Sequence, residues 1–486
     1  MKNKILKLEH RYKNIPIMAK VSFYFLICSF LQKGIAFITT PIFTRILSVE
    51  EYGLYNVFNS WESMISVIIT LNLSYGIYTQ GLVKFEKDKN IFSSSMQGLT
   101  LTLIIGWSII YAIFYPIINE ITGLNCSFML FMFILIWSNS IFSFWSAEQR
   151  VDYNYRKLVL ITIVVSILNP LLSIILIKHM KNKVLARILG IVIVAVVFYG
   201  WMFFEQMAKG KKFFSKKYWK YALRLNIPLV PHYLSQTVLN SSDRIMIERL
   251  IGPAKAGIYS LAYSLSLAMT LFNNALSQTI SPWIYKKIKN HRENEITKVA
   301  YTTMILIAGV NICLIAFAPE IVKIFAPSTY LEAIWIIPPV AMSAYFMFLY
   351  DLFAKFEFYY ERTNFIATAT MAGAILNIML NYVFINKFGY IAAGYTTLVC
   401  YILYALAHYL FMKKVCKSNG IKSPYTTKKI CFISLIFMGI GFFIALFYNN
   451  IIIRYFIIII LAFIIFLKRK FIIEKIKNVL MVREEK

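Results

Sequence analysis

The chain has 486 residues, of which 59% are hydrophobic and only 15% charged, and its mean hydropathy is +0.65. Soluble domains carry about 25% charged residues, so this composition excludes a soluble enzyme, a disordered chain and a secreted disulfide scaffold. The 51 Lys and Arg against 22 Asp and Glu give a net charge of +29. In a membrane protein such an excess indicates cytoplasmic loops and anionic membrane lipids as partners, and no nucleic acid. We therefore expect an all-α integral membrane protein.

Continuous apolar runs long enough to cross a bilayer recur along the whole chain. A spanning helix needs about 20 apolar residues, and unbroken runs of that length exclude a closed barrel, whose strands alternate. The first run follows a basic segment and is too long for a cleaved signal, so we expect it to be a spanning helix. Fourteen helices are predicted, at 21–45, 54–80, 92–118, 126–147, 158–177, 184–205, 225–250, 257–283, 299–318, 334–354, 364–385, 390–412, 430–448 and 451–467.

The distribution of basic residues predicts the orientation. With both termini in the cytoplasm, the cytoplasmic segments hold 39 of the 51 Lys and Arg. This is the bias that the positive-inside rule describes. One predicted outer loop departs from this bias, because it contains Lys178, Lys181 and Lys183. The predicted location is a bacterial cytoplasmic (inner) membrane, crossed many times.

The two parts of the chain resemble each other at a nearly constant offset. Residues 45–60 align with 249–264 at an offset of 204, matching Gly53 to Gly257, and Ile-Leu-Asn ending at Asn169 recurs at Asn377 at an offset of 208. Chance recurrence of Gly-x-Tyr is the alternative. Duplicated halves usually carry a substrate site at their interface. We predict an N-terminal six-helix half at 1–208, a C-terminal six-helix half at 221–415, and appended helices 13 and 14 with a basic tail at 428–486.

Polar side chains follow one face of the first two helices of each half. Their spacing of three or four residues places them on a single face of each helix. Four such faces can converge on one water-filled cavity between the halves. The stripes are Ser29, Gln32, Lys33 and Thr40; Asn56, Asn59, Ser63, Ser66 and Thr70, with Glu62 beside them; His232, Gln236, Asn240, Asp243 and Arg244; and Tyr259, Tyr263, Ser266, Thr270 and Asn273.

Charged residues within these spanning helices need a functional or structural explanation. A charge at the centre of a spanning helix costs about 2.5–3.5 kcal/mol on insertion scales. Lys33 either contacts an anion in the cavity or forms an ion pair, for example with Glu62. The pair Asp243 and Arg244 is either functional or structural, since Arg244 could pair with Glu248 four residues on.

Catalytic and cofactor motifs are absent from the sequence. There is no P-loop and nothing like HExxH or GxSxG, and none of the six cysteines forms a CxxC pair. We expect no enzyme activity, no metal and no cofactor. Without a nucleotide site, movement against a gradient needs an ion, and the candidate carriers of H⁺ or Na⁺ are the carboxylates of Asp243, Glu62 and Asp351.

Two segments resemble a known family. The motif TRILSVEEYGLY (Thr44 to Tyr55) after the first helix is similar to the start of Wzx-type polysaccharide flippases, and so is NSSDRIMIERLIGPAKAGIYS (Asn240 to Ser260). These flippases belong to the superfamily that also contains the MATE drug exporters and the lipid II flippases. The helix count and the basic central loop extend the resemblance over essentially the whole chain.

The resemblance implies transport of an undecaprenyl-pyrophosphate-linked oligosaccharide to the outer leaflet, for O-antigen or capsule, by alternating access. Assembly proteins such as a glycan polymerase would be partners. Cationic cavity residues suit a pyrophosphate, and that role falls first to Lys33 and second to Arg244. The full set of expected substrate-binding residues is Gln32, Lys33, Asn59, Asn240, Arg244 and Tyr263.

Two other classes remain open. A MATE-like multidrug or cation antiporter is the runner-up, although such exporters usually stop near twelve helices. A glycan polymerase or ligase typically has one large outer loop, whereas the longest outer loop here spans 319–333.

Overall fold

The computed structural model describes residues 34–35, 37–467 and 469, and all regular structure within these ranges is helical. Nine of the described helices are long and apolar enough to cross a membrane, and a shorter apolar helix lies at Ile451–Phe463. The predicted runs from 54–80 onward each coincide with a helix or a pair of helices, and the part of the first run that is described, 37–45, is helical. The prediction of an all-α membrane fold is confirmed. The boundaries differ by several residues, because helices continue beyond the apolar core that the sequence marks.

The chain divides into two compact units. Unit 1 contains the described residues up to Leu47 together with Phe58–Leu234. Its interior includes a cluster of aromatic rings in which Tyr78 stacks on Phe92 and meets Phe144 edge to face. The helices that lie wholly or partly in unit 1 are α1 (37–46), α2 (Val49–Thr70), α3 (Ile77–Lys84), α4 (Lys89–Thr122), α5 (Cys126–Val151), α6 (Tyr155–His179), α7 (Lys183–Gly210), α8 (Lys216–Asn226) and the first turn of α9 (Val230–Leu250).

Unit 2 contains Ser48–Val57 and the residues from Ser235 onward. Its most extensive helix pairing joins the helices at Ile337–Tyr359 and Ala392–Ser418. The first of these is buried along most of its length. The remaining helices of unit 2 are α10 (Pro253–Lys289), α11 (Glu293–Ala316), α12 (Ala318–Phe325), α13 (Ile337–Tyr359), α14 (Thr363–Phe388), α15 (Ala392–Ser418), α16 (Thr427–Leu446) and α17 (Ile451–Leu467). The predicted duplication into 1–208, 221–415 and 428–486 stays a prediction.

The second predicted helix is interrupted. The helix α2 ends at Thr70, and Leu71 and Asn72 adopt positive φ values of 50° and 52°. Left-handed backbone is costly for residues with a side chain, so such a conformation ends a helix. The hydroxyl of Thr70 accepts a hydrogen bond from the backbone N–H of Asn72 at 3.2 Å, which supports the turn. The apolar pattern alone does not reveal this break.

Two glycines allow α2 and α10 to touch at their backbones within unit 2. A Cβ atom added at Gly53 would overlap the carbonyl oxygen of Pro253 and lie 2.8 Å from the backbone nitrogen of Gly257. A Cβ atom added at Gly257 would overlap the carbonyl oxygen of Val49. Residues 49 and 53 correspond to 253 and 257 at the offset of 204, so the contact is reciprocal between the two aligned segments.

The segment at 319–333, which the sequence predicts to be an outer loop, is not extended. It contains most of α12 and a 3₁₀ helix at Ser328–Trp335. Glu320 of α12 accepts a hydrogen bond from the guanidinium of Arg454 in α17, whose side chain is only 2% exposed. This ion pair joins one of the last two helices to the rest of unit 2.

Candidate functional site

A buried carboxylate lies at the centre of unit 2. Asp243 of α9 is 1% exposed and accepts hydrogen bonds from three neighbouring helices. The phenol of Tyr259 donates to it at 2.6 Å, the amide of Asn381 at 2.5 Å and the hydroxyl of Thr397 at 3.0 Å. All three donors are neutral. A carboxylate in such a place is expensive unless it is well hydrogen-bonded or neutralised by a bound proton or cation.

The hydrogen bonds continue from this carboxylate into α14 and α15. Thr396 donates to the amide oxygen of Asn381. Asn381 also donates to the amide oxygen of Asn377 at 3.2 Å, and the same oxygen accepts from Ser242 at 3.2 Å. The amide nitrogen of Asn377 is buried without a hydrogen-bond partner in the described residues. The network is therefore polar, fixed by packing, and short of one acceptor.

The side chain of Arg244 makes contacts that differ from those of its neighbour Asp243. Its guanidinium lies 4.4 Å from the centre of the Tyr263 ring, and Nη1 donates to the carbonyl oxygen of Asn240 at 3.2 Å. Its Nε is buried and has no hydrogen-bond partner in the described residues. Tyr401 donates to the amide oxygen of Asn240 at 3.5 Å, a long contact. Adjacent residues of one helix thus provide a buried anion and a cation held over an aromatic face.

The structure brings four of the predicted residues together in unit 2: Asn240, Asp243, Arg244 and Tyr263. Glu248 is the alternative partner predicted for Arg244. In the structure its carboxylate lies instead 3.7 Å from Nε of Arg249. Gln32 and Lys33 lie outside the described residues. The proposed convergence of four polar faces on one cavity therefore stays a prediction.

Asn59 and Glu62 belong to the part of α2 that lies in unit 1. Asn59 is half-buried, and its carbonyl oxygen accepts a hydrogen bond from Ser63 at 2.9 Å. Glu62 accepts a weak hydrogen bond from the amide of Asn139 in α5, at 3.4 Å. Glu62 is thus held by a neutral group, as Asp243 is, but by fewer contacts.

Asp351 lies apart from Asp243, on α13. It forms an ion pair with Lys355, four residues further along the helix, with a Nζ to Oδ2 distance of 2.6 Å. Lys355 is 2% exposed and also donates to the hydroxyl of Ser277 in α10 at 2.8 Å. Among the described residues, this carboxylate forms an ion pair, whereas those of Asp243 and Glu62 accept hydrogen bonds from neutral groups.

Two further buried carboxylates were not found from the sequence. In unit 2, Glu357 and His408 are both fully buried, with 2.9 Å between His408 Nδ1 and a carboxylate oxygen. In unit 1, Glu148 accepts from Gln206 at 2.6 Å, and Gln206 accepts from Gln97 at 2.7 Å. The two pairs join α13 to α15 and α5 to α7. They were missed because each lies near a helix end, where the sequence suggests an exposed loop.

Two amides near Asp243 were also not predicted, although the sequence carries a weak signal for them. Asn377 and Asn381 are four residues apart in an otherwise apolar run, which places both amides on one face of α14. Asn377 also belongs to the repeated Ile-Leu-Asn motif. A search for amides spaced by four within apolar helices would have found them.

Comparison with known proteins identifies the family. A family model described as "Polysaccharide biosynthesis protein" matches residues 18–287, more than half of the chain. The chain belongs to this family. A second model, "MatE", matches residues 228–383, which include Asp243, Asn377 and Asn381. The resemblance to polysaccharide flippases of the MATE-related superfamily is confirmed.

Individual relatives are distant. The chain is 22% identical to "Lsg locus putative protein 1" of Haemophilus influenzae over 381 residues, covering 74% of this chain and 89% of the relative. It is 21% identical to "Probable low-salt glycan biosynthesis flippase Agl15" of Haloferax volcanii over 201 residues, or 40% and 42% of the two chains. Its fold is similar to that of "Lipid II flippase MurJ, inward closed conformation", with a TM-score of 0.68, 18% identity and coverage of 92% and 99%. The protein is thus a multi-pass membrane protein with a flippase-type fold.

Proposed function

We propose that this protein is a flippase that moves an undecaprenyl-pyrophosphate-linked oligosaccharide across the bacterial cytoplasmic membrane by alternating access, for O-antigen or capsule synthesis. The observation that carries the proposal is the paired placement of Asp243 and Arg244, a buried carboxylate and a partly exposed cation at adjacent positions of α9. Membership of the polysaccharide biosynthesis family and the name of the Haloferax relative support a glycan as the cargo.

The substrate's pyrophosphate would be bound by cations. Arg244 suits this role, because its planar guanidinium can donate two parallel hydrogen bonds to phosphate oxygens and its Nε lacks a partner among the described residues. We assign the same role to Lys33 on sequence grounds. Gln32, Asn59, Asn240 and Tyr263 would complete the polar lining.

Energy would enter through an ion bound at Asp243. A proton or Na⁺ there would neutralise a costly buried charge and favour one arrangement of the surrounding helices, since the carboxylate is held by α10, α14 and α15 together. Glu62 is the second coupling candidate because, within the described part of the chain, its carboxylate accepts a hydrogen bond from the neutral amide of Asn139. Ion exchange at Asp351 would require Lys355 to move away, so we rank it third.

The proposal places the protein in the inner membrane with both termini in the cytoplasm, surrounded by membrane lipids and acting beside a glycan polymerase and other assembly proteins. It assigns no catalysis to the chain, consistent with relatives that are named as flippases.

Reconstituted liposomes test the proposal. The wild type should move the lipid-linked oligosaccharide that accumulates in cells lacking the protein, and an imposed pH or Na⁺ gradient should change the rate. Asp243→Asn should keep the fold and lose the response to the gradient. Asp152→Asn, the same substitution in a half-exposed pair with Lys89 outside the membrane, should respond as the wild type does.

Three results would contradict parts of the proposal. A wild type that moves no oligosaccharide, but exports cationic dyes, would indicate the multidrug antiporter instead. Flipping that is indifferent to every gradient would remove ion coupling and leave the flippase assignment intact. A normal gradient response in Asp243→Asn would move the coupling site elsewhere.

A further inference from the structure

A small polar pocket lies between α10 and α13 in unit 2, separate from Asp243. It has a volume of about 90 Å³. Four of its residues recur at spacings of three and four along α10, so one face of that helix forms one wall. The pocket is lined by Thr270, Asn273, Asn274, Ser277, Met347, Phe348, Tyr350 and Asp351.

The groups in this pocket suit a neutral ligand. A cation gains little there, because Lys355 already neutralises Asp351 at 2.6 Å. An anion would be repelled by the Asp351 carboxylate, which is 35% exposed and therefore accessible. The oxygens of this carboxylate can accept hydrogen bonds from a ligand.

The pocket also offers both kinds of hydrogen-bonding partner. Asn274 is exposed and can donate and accept through its amide. Asn273 is 7% exposed; its amide nitrogen donates to the carbonyl oxygen of Ala344 at 2.7 Å, and its Oδ1 has no partner in the described residues. An unpaired buried acceptor costs about 1–3 kcal/mol unless a donor reaches it. Neighbouring hydroxyl groups, each of which donates one hydrogen bond and can accept others, match these side chains.

The size sets a limit on what enters. The pocket's volume of about 90 Å³ is well below the roughly 300–1,000 Å³ of typical ligand pockets, so only part of a ligand fits. This matches one edge of a sugar ring rather than a whole ring. Ionisable groups in spanning helices almost always face the bundle interior or a water-filled cavity, so Asp351 marks a side of unit 2 that a water-soluble headgroup can reach.

We propose that this pocket, defined by Asn273, Asn274 and Asp351, binds the hydroxyl edge of one sugar of the transported glycan. The inference rests on the proposed function and adds a sugar subsite to it. It gives unit 2 a contact that depends on the sugar and not on the pyrophosphate.

Binding measurements with two probes test the subsite on the purified full-length protein. The probes are the lipid-linked oligosaccharide that accumulates in cells lacking the protein, and undecaprenyl pyrophosphate without sugar. The double variant Asp351→Asn/Lys355→Met removes the carboxylate charge without leaving Lys355 unpaired. It should bind the oligosaccharide about ten- to a hundredfold more weakly, the range for hydrogen bonds to charged groups, and bind the bare carrier normally.

A single variant at an exposed position tests the subsite even if the double variant fails to fold. Asn274→Leu should weaken oligosaccharide binding roughly two- to tenfold and leave the bare carrier unaffected. The matched control is Thr279→Val, an exposed residue of the same helix outside the pocket, which should change neither affinity.

The outcomes separate the subsite from the proposed function. Oligosaccharide binding at wild-type affinity in both pocket variants overturns the subsite while the flippase remains. Equal weakening of both probes also overturns it, because the effect would then be structural. Unchanged binding with a lost response to ion gradients would show that Asp351 acts in coupling instead. A wild type that binds neither probe refutes the proposed function.

Discussion

The contact between Gly53 and Gly257 allows a sharp test of how α2 and α10 pack. At each glycine an added Cβ would overlap a carbonyl oxygen of the other helix, and the next nearest atom at Gly53 is the backbone nitrogen of Gly257, at 2.8 Å. These atoms belong to helix backbones, so no rotamer change can relieve the overlap. The helices would have to separate by about an ångström, and close-packed interiors resist such shifts.

The expected cost of Gly53→Ala follows from two opposing effects. Overpacking costs typically about 1–3 kcal/mol, and a backbone obstacle belongs at the upper end of that range. Alanine in a helix interior regains about 1 kcal/mol over glycine. We therefore expect Gly53→Ala to destabilise the protein by about 1–2 kcal/mol, and Gly257→Ala to do the same because the contact is reciprocal.

Thermal unfolding of the purified protein in detergent measures this effect. The matched control is Gly309→Ala in α11, where an added Cβ meets no atom within 4 Å, so only the gain in helix propensity applies. The order of stability should be Gly309→Ala, wild type, then Gly53→Ala. If Gly53→Ala unfolds at or above the temperature of Gly309→Ala, the close backbone contact is wrong.

Two further predictions concern the loops. Single cysteines introduced at Lys212 and Asn449, both exposed, should be labelled from opposite sides of the membrane in a cysteine-free background, and labelling from the same side would contradict the predicted topology. Hydrogen bonds from the Lys255 ammonium and from Tyr390 hold the pKa of the Glu332 carboxyl below its usual value, so this pair stabilises the fold at neutral pH and the contribution disappears as the pH falls below about 4. Glu332→Gln should cost about 0.2–1 kcal/mol at pH 7 and less at pH 3; a difference independent of pH would rule out the ion pair as its cause.

Much of the fold was determined locally by the sequence. Each apolar run must satisfy its own backbone hydrogen bonds in lipid, so a run of about 20 residues becomes a helix whatever its neighbours are. This is why the predicted runs coincide with helices wherever the structure describes them. Contacts within one helix are also determined locally: Asp351 and Lys355 are four residues apart on α13 and form an ion pair.

The partners of the buried polar groups were decided only by the tertiary structure. The donors to Asp243 include Asn381 and Thr397, which lie 138 and 154 residues further along the chain. Helical periodicity places a residue on a face of its own helix but does not specify which distant helix covers that face. The break after Thr70 has the same origin, because Leu71 and Asn72 hold positive φ angles that no local pattern signals. Hydrophobicity fixes the helices one at a time, whereas the hydrogen bonds of a buried carboxylate depend on packing among several helices at once.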